Sequence, residues 1–197
     1  MFDDVDAALF CGLPGIYGAQ AIAEVLSGAV NPSGKMSFSY PKRSGHIIPY
    51  NHKRAEYSTL RPVSDELKRF SIAPFGHGLS YADFAYDKLE MDTLYTSPSD
   101  TISVSVDVTN TSDTDGKEAV LWFVSDEVGS ITRPVKELVR FDKKMIRAGD
   151  TETFTCKLIP EQDLSFPDKE GNMLLEAGAF TIQVGDLSQT FYYKPKK

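Results

Sequence analysis

The chain has 197 residues, of which 41% are hydrophobic and 25% are charged, and this is the composition of a folded protein of one or two domains. Its formal net charge of −7 disfavours nucleic acid as a partner, because phosphate binding needs clustered lysine and arginine. No apolar run approaches the roughly 20 residues needed to span a bilayer, so we expect no membrane partner.

The first 40 residues have the pattern of a strand, a helix and a second strand. Residues 7–11 are a short apolar run, typical of a strand buried on both faces. Residues 19–26 place apolar side chains on one helical face, and residues 35–40 alternate with period two. Two strands and one helix cannot cover a parallel sheet by themselves. We therefore predict that residues 1–40 are the C-terminal part of a larger α/β sandwich domain.

Residues 41–83 form a long irregular stretch, which we interpret as an interdomain linker that wraps over a neighbouring domain. Within it, Tyr50, Asn51, His52 and Arg54 offer aromatic, amide and cationic groups that suit sugar rings and hydroxyls. These four are the candidate substrate-binding residues. The same side chains also suit hydrogen bonding between domains, and that alternative stays open.

From about residue 84 to residue 197 the hydrophobic period becomes two. The alternation of Ile102, Val104, Val106 and Val108 with polar residues indicates a half-buried strand. Seven or eight such strands in roughly 110 residues are typical of an antiparallel, immunoglobulin-like β-sandwich, so the chain is predicted to be mainly β. Trp122 lies at an alternating strand position and is predicted to be core.

Metal, cofactor and nucleotide sites find no support in the motifs. The histidines lack helical i,i+4 spacing and neighbouring carboxylates, so no metal site is expected. The glycines of residues 12–18 lack the G-x-G-x-x-G spacing of a dinucleotide site, which favours a structural turn and no cofactor. Cys11 and Cys156 are too far apart in sequence to indicate a disulfide framework, and both are predicted to be buried free thiols.

Several ordered motifs resemble glycoside hydrolase family 3. Pro14-Gly15, the segment 21–28 and Asn31-Pro32-Ser33-Gly34-Lys35 are similar to the end of that family's α/β domain. Tyr50-Asn51-His52-Lys53 resembles its Y-N-H-K loop, and residues 74–81 with Phe84 resemble its P-F-G-x-G-L-S-Y junction. Residues 108–111, 115–118 and 133–138 resemble the fibronectin III-like domain that ends many members. The chain departs from the family pattern at Tyr17-Gly18-Ala19 and at Ser37-Phe38.

The resemblance implies that this is the C-terminal, non-catalytic portion of a retaining β-glucosidase-type enzyme, which hydrolyses terminal β-linked sugars from oligosaccharides or glycosides. Such enzymes use an Asp nucleophile and a Glu acid/base, two carboxylates about 5–5.5 Å apart. No residue of this chain matches either motif, so we carry over no catalytic residue and expect the chain alone to be inactive. The family also implies a periplasmic or extracellular location, although Met1 begins no visible signal peptide.

Two further expectations concern partners. A different class of function, a non-catalytic carbohydrate-binding or adhesion β-sandwich, remains an alternative, although such a module would not need the strand–helix–strand start. Residues 1–40 are expected to present an unpaired strand edge and apolar side chains, and such surfaces tend to recruit another chain. Self-association through residues 1–40 is therefore predicted.

Overall fold

The computed structural model describes residues 5–53 and 70–196, which form two helices and twelve strands. The helices are α1 (Gly18–Leu26) and α2 (Pro160–Asp163). The first six strands are β1 (Tyr40–Pro41), β2 (Ser71–Ala73), β3 (Phe84–Met91), β4 (Leu94–Tyr95), β5 (Ile102–Asn110) and β6 (Gly116–Asp126). The others are β7 (Glu137–Ile146), β8 (Thr151–Leu158), β9 (Phe166–Pro167), β10 (Met173–Leu174), β11 (Gly178–Val184) and β12 (Leu187–Tyr193).

A β-sandwich contains eight of these strands. One sheet has five strands in the order β4-β12-β11-β6-β7, and the other has three in the order β3-β5-β8. Neighbours within the sheets pair antiparallel, except that β12 and β4 run parallel. This confirms the predicted mainly β fold with an antiparallel sandwich.

The sandwich core lies between the two sheets and follows the alternation in the sequence. In β5, Ile102, Val104, Val106 and Val108 are fully buried, whereas the intervening side chains are more exposed. Trp122 on β6 is 1% exposed and belongs to the same core cluster, as predicted. Strands with one face on the core and one in water therefore account for this half of the chain.

The strands predicted near the start of the chain are wrong. Helix α1 forms where expected, but residues 7–11 have no strand partner among the described residues. Of residues 35–40, Tyr40 alone enters a strand, in the short pair β1–β2. An apolar or alternating pattern marks a segment that is able to pair, but a strand forms only where another segment supplies hydrogen-bonding groups.

The prediction of buried thiols holds for one cysteine and fails for the other. Cys156 lies in β8 and is buried in the sandwich core, and burial raises the pKa of its thiol to about 12. Cys11 is exposed, because the segment that carries it is not covered by a neighbouring strand in the described part of the chain. Both cysteines are free.

Candidate functional site

The loop with the candidate substrate-binding residues docks on one edge of the sandwich. The Tyr50 hydroxyl accepts a hydrogen bond of 2.6 Å from the backbone N–H of Leu138, at the start of β7. The Tyr50 ring lies 4.9 Å from the ring of Phe75, measured between centroids. Tyr50 therefore joins the loop both to the sandwich and to the segment around Phe75, which precedes the sandwich in the sequence.

His52 continues this contact through its backbone. Its carbonyl oxygen accepts a hydrogen bond of 3.0 Å from the Val135 N–H, and the adjacent Lys53 forms an antiparallel bridge with Pro134. The imidazole is buried, and its Nδ1 lies 3.1 Å from the Pro49 carbonyl oxygen. The loop is thus held along the segment that leads into β7, in the manner of an added strand.

Aromatic packing fills the space beneath the loop. Phe75 lies 6.2 Å from Phe123 of β6 in an edge-to-face arrangement, and the ammonium of Lys136 sits 4.2 Å above the Phe123 ring. Burial lowers the pKa of Lys136, and the ring face offsets part of the cost of burying its charge. The loop therefore packs on aromatic rings that come from the sandwich (Phe123) and from the linker (Phe75).

The four predicted site residues consequently differ in what they offer. Tyr50 is partly engaged with the sandwich, and His52 is buried beside it. Asn51, between them, is exposed. Arg54 lies outside the described residues. Tyr50 through its hydroxyl and His52 through its backbone carbonyl oxygen accept hydrogen bonds from the sandwich, and sugar contact by these residues stays a prediction.

A second set of contacts, which the sequence reasoning did not identify, joins residues 31–36 to the sandwich. Glu118 of β6 accepts a hydrogen bond of 2.7 Å from the Tyr86 hydroxyl, and its carboxylate lies 3.0 Å from the ammonium of Lys35. Asn31 donates from its amide to the Asp115 carbonyl oxygen at 3.0 Å. The sequence did contain a signal for these contacts. Glu118 lies two and four residues before Val120 and Trp122, so its side chain is on the same inward-facing side of β6, which is otherwise apolar.

Acidic side chains of the sandwich gather around a small cavity of about 10 Å³. Arg133 binds the carboxylate of Glu137 at 2.7 Å and lies 3.8 Å from that of Asp126, while Asp163 pairs with Arg140 at 2.8 Å. Burial raises the pKa of Asp126 despite the neighbouring guanidinium. A space of this size holds a water molecule at most, so these carboxylates do not form a sugar-binding cleft.

A larger cavity of about 300 Å³ is lined, in its described part, by residues of the linker. Its described lining consists of Lys42, Arg43, His46 and Phe70. Retaining hydrolysis needs two carboxylates across the scissile bond, and this described lining contains none. Within the described ranges, no three His, Cys, Asp or Glu residues are grouped as a metal site would require. Neither described helix is long and apolar enough to cross a membrane.

Comparison with known proteins finds two family models and a set of relatives that match this chain. Residues 1–81 match the family model of the glycosyl hydrolase family 3 C-terminal domain, and residues 118–188 match that of the fibronectin type III-like domain. A β-glucosidase of Bacteroides ovatus is 35% identical over 86% of the chain, and a periplasmic β-glucosidase of Salmonella typhimurium is 31% identical over 91%. Each alignment spans 24% of the relative's own length.

The fold matches as well as the sequence does. The crystal structure of a β-glucosidase from Listeria innocua in complex with glucose superposes on 98% of the chain with a TM-score of 0.86, at 32% identity. The superposed part is 28% of that structure. The chain thus spans about a quarter of the length of the proteins it matches, and it matches their C-terminal portion.

Proposed function

This chain belongs to glycoside hydrolase family 3, whose C-terminal region it matches, and we propose that the whole protein is a retaining β-glucosidase-type enzyme. It would hydrolyse terminal β-linked sugars from oligosaccharides or glycosides. The observation that carries this proposal is the occurrence of both family domains in one chain, together with the superposition of a β-glucosidase on 98% of it.

Within that enzyme we assign this chain a non-catalytic part. We divide it into the end of an α/β sandwich domain at 1–40, an interdomain linker at 41–83 and a fibronectin III-like sandwich at 84–197. The sandwich braces the linker and residues 31–36 through the contacts at Tyr50, His52 and Lys35. The carboxylates Glu118, Asp126 and Glu137 are each close to a cationic side chain, Lys35 for Glu118 and Arg133 for the other two, which disfavours a role for them as nucleophile or general acid.

The assignment is tested with p-nitrophenyl β-glucoside. The chain by itself is expected to give no turnover above buffer, because neither the covalent step nor leaving-group protonation has an agent in it. The protein encoded by the complete reading frame is expected to hydrolyse the same substrate, or its xyloside counterpart, with retention of anomeric configuration. Turnover by the chain alone that is lost on mutating one of its own residues would contradict the non-catalytic assignment, and inversion by the complete protein would contradict the proposed chemistry.

We further propose that the loop of Tyr50, Asn51, His52 and Arg54 borders the outer part of the substrate site, with the exposed Asn51 as the side chain that contacts substrate. Support comes from the docking of Tyr50 and His52, which holds the exposed Asn51 in a fixed place. In the complete enzyme, Asn51→Ala should raise KM for a disaccharide more than for an aryl glucoside. Asn172→Ala, which changes an exposed amide in the turn between β9 and β10, is the matched control and should leave both KM values unchanged.

We propose a periplasmic or extracellular location for the protein. It is supported by the similarity to a periplasmic β-glucosidase of Salmonella typhimurium. Cell fractionation followed by N-terminal sequencing of the mature protein tests it, and recovery in the cytoplasmic fraction with an unprocessed N-terminus would contradict it. The match of residues 1–81 to a glycosyl hydrolase domain disfavours the rival interpretation as a free-standing adhesion or carbohydrate-binding module.

Self-association through residues 1–40 completes the proposed set of partners. Its support is the apolar surface of this segment, where Leu13, Ile16, Tyr17 and Leu26 are largely or fully exposed. Contiguous exposed apolar patches commonly mark a surface that binds another protein.

A further inference from the structure

Glu118 is a charged residue at an inward-facing position of the sandwich. It is 5% exposed, and the next inward positions of β6 are occupied by Val120 and Trp122. Burial of a carboxylate carries a large desolvation penalty that must be offset by a counter-charge and hydrogen bonds. Its partners therefore indicate why a charge is present at this position.

Both partners come from outside β6. The Tyr86 hydroxyl of β3 donates a hydrogen bond of 2.7 Å to the Glu118 carboxylate. Burial, together with the nearby Glu118 charge, raises the pKa of Tyr86 above its ordinary value, so the phenol stays a donor. The Lys35 ammonium lies 3.0 Å from the same carboxylate and also donates to the Gly78 carbonyl oxygen at 3.4 Å.

Lys35 belongs to residues 31–36, which we call the anchor segment and which follow helix α1. Weaker contacts hold the same segment. The Asn31 side-chain oxygen accepts hydrogen bonds from the Ser80 hydroxyl and the Tyr81 N–H, both at 2.8 Å. The Met36 N–H donates to the His77 carbonyl oxygen at 2.7 Å, and the Gly76 N–H donates to that of Met36 at 2.8 Å.

Among these contacts, the ion pair is expected to dominate. The others are hydrogen bonds between neutral groups, and loss of such a bond is largely compensated by water. The Lys35 side chain is 18% exposed and that of Glu118 is 6% exposed, so their attraction is less screened than that of a surface pair. Loss of either partner leaves an uncompensated charge in a poorly solvated place.

We propose that Glu118 is a positioning residue, whose buried carboxylate holds Lys35 and thereby fixes the anchor segment on the sandwich. This attachment concerns the chain as it stands. Its consequence for catalysis, that the sandwich sets the position of the α/β domain, rests on the proposed function.

The proposal is tested by hydrogen–deuterium exchange on the 197-residue chain. In Glu118→Gln, the amides of Met36, Gly76 and Tyr81 should exchange at least roughly tenfold faster, whereas those of β5 and β8 keep their protection. Lys88→Met is the matched control, because it removes an exposed ion pair with Asp107 from the outer face of the three-stranded sheet. That control should leave exchange of the anchor segment unchanged.

Two further variants separate positioning from general stabilisation. Lys35→Met leaves every residue of the sandwich in place and should reproduce the local acceleration, while Lys35→Arg keeps the charge and should restore protection. Equal acceleration throughout the sandwich, or no acceleration in the anchor segment of either Glu118→Gln or Lys35→Met, would overturn the proposal. Because no glycosidase assay enters this experiment, its failure is distinguishable from failure of the proposed function.

Discussion

Trp122 is the clearest test of the sandwich core. Its side chain is 1% exposed and lies among the cluster that includes Val106, Ile182 and Phe191. Trp122→Ala should lower the free energy of unfolding by roughly 3–5 kcal/mol, because it removes apolar contacts and leaves a cavity. Phe141→Ala, on the neighbouring strand but with an exposed ring, is the control and should cost far less. Urea unfolding measures both, and a sugar-dependent change in Trp122 fluorescence with little loss of stability would contradict the core assignment.

Tyr86 provides a pH-dependent test of the buried cluster. Burial and the Glu118 charge raise the pKa of Tyr86 in the folded chain above its unfolded value near 10. The phenol therefore stabilises the fold fully below about pH 10, and this contribution is lost as pH rises towards the folded pKa. Urea unfolding between pH 9 and pH 11 should show a steeper loss of stability in the parent chain than in Tyr86→Phe. Tyr17→Phe removes the hydroxyl of an exposed tyrosine and serves as the control. Equal slopes of stability against pH in the parent chain and in Tyr86→Phe would contradict the buried contact between Tyr86 and Glu118.

The sequence predicts some of these buried side chains and hides the roles of others. Alternation along β5 and β6 correctly marks Val104 and Trp122 as inward-facing. The same alternation marks Glu118 as inward, but it does not reveal the counter-charge, because Lys35 lies more than eighty residues earlier. Long-range ion pairs depend on how the elements pack, and a linear pattern carries no information about that.

The strands of the sandwich follow from the sequence better than the strands predicted near the start of the chain. In strands such as β5, β8 and β12, one face is buried and the other is more exposed, so period two is a direct record of their environment. Residues 7–11 and 35–40 carry equally good patterns yet form almost no strand. Residues 7–11 pair with no described strand, and residues 35–40 bond to a neighbouring backbone at Met36 and in the short pair at Tyr40, so pattern alone overstates what they form.

The docked loop at 49–53 yields a prediction about local stability. Tyr50→Phe keeps the ring on Phe75 but removes the oxygen that accepts from the Leu138 N–H. The loss should cost about 0.5–1.5 kcal/mol, and exchange of the Leu138 amide should accelerate severalfold. Tyr192→Phe, in β12 at the other side of the five-stranded sheet, is the matched control. Unchanged protection at Leu138 in Tyr50→Phe would show that the Tyr50 hydroxyl does not stabilise this attachment.

Two attachments join the sandwich to the segments that precede it in this chain. One attachment joins the anchor segment to β6 through Lys35 and Glu118, and the other joins the loop at 49–53 to the start of β7 through Tyr50. Motifs in the sequence located all the participating segments, because the family resemblance includes them. The motifs did not distinguish substrate contact from contact with the sandwich, since the same types of polar side chain suit either.

Self-association is the prediction that concerns the chain as an assembled unit. Leu13 is fully exposed and Ile16 is 90% exposed, and Phe10 and Phe38 pack on each other while remaining partly in water. Removing such surface from water is favourable by about 25 cal/mol per Å², so a second chain that covers it gains stability. Analytical ultracentrifugation should therefore show the chain associating as its concentration rises. The double variant Leu13→Glu, Ile16→Glu should remain a monomer, because association of two chains would bury carboxylates without partners. Val128→Glu, on an exposed loop of the sandwich, is the control and should leave association unchanged. A parent chain that stays monomeric at every concentration, with protected amides in residues 7–40, would mean that this segment is covered within its own chain.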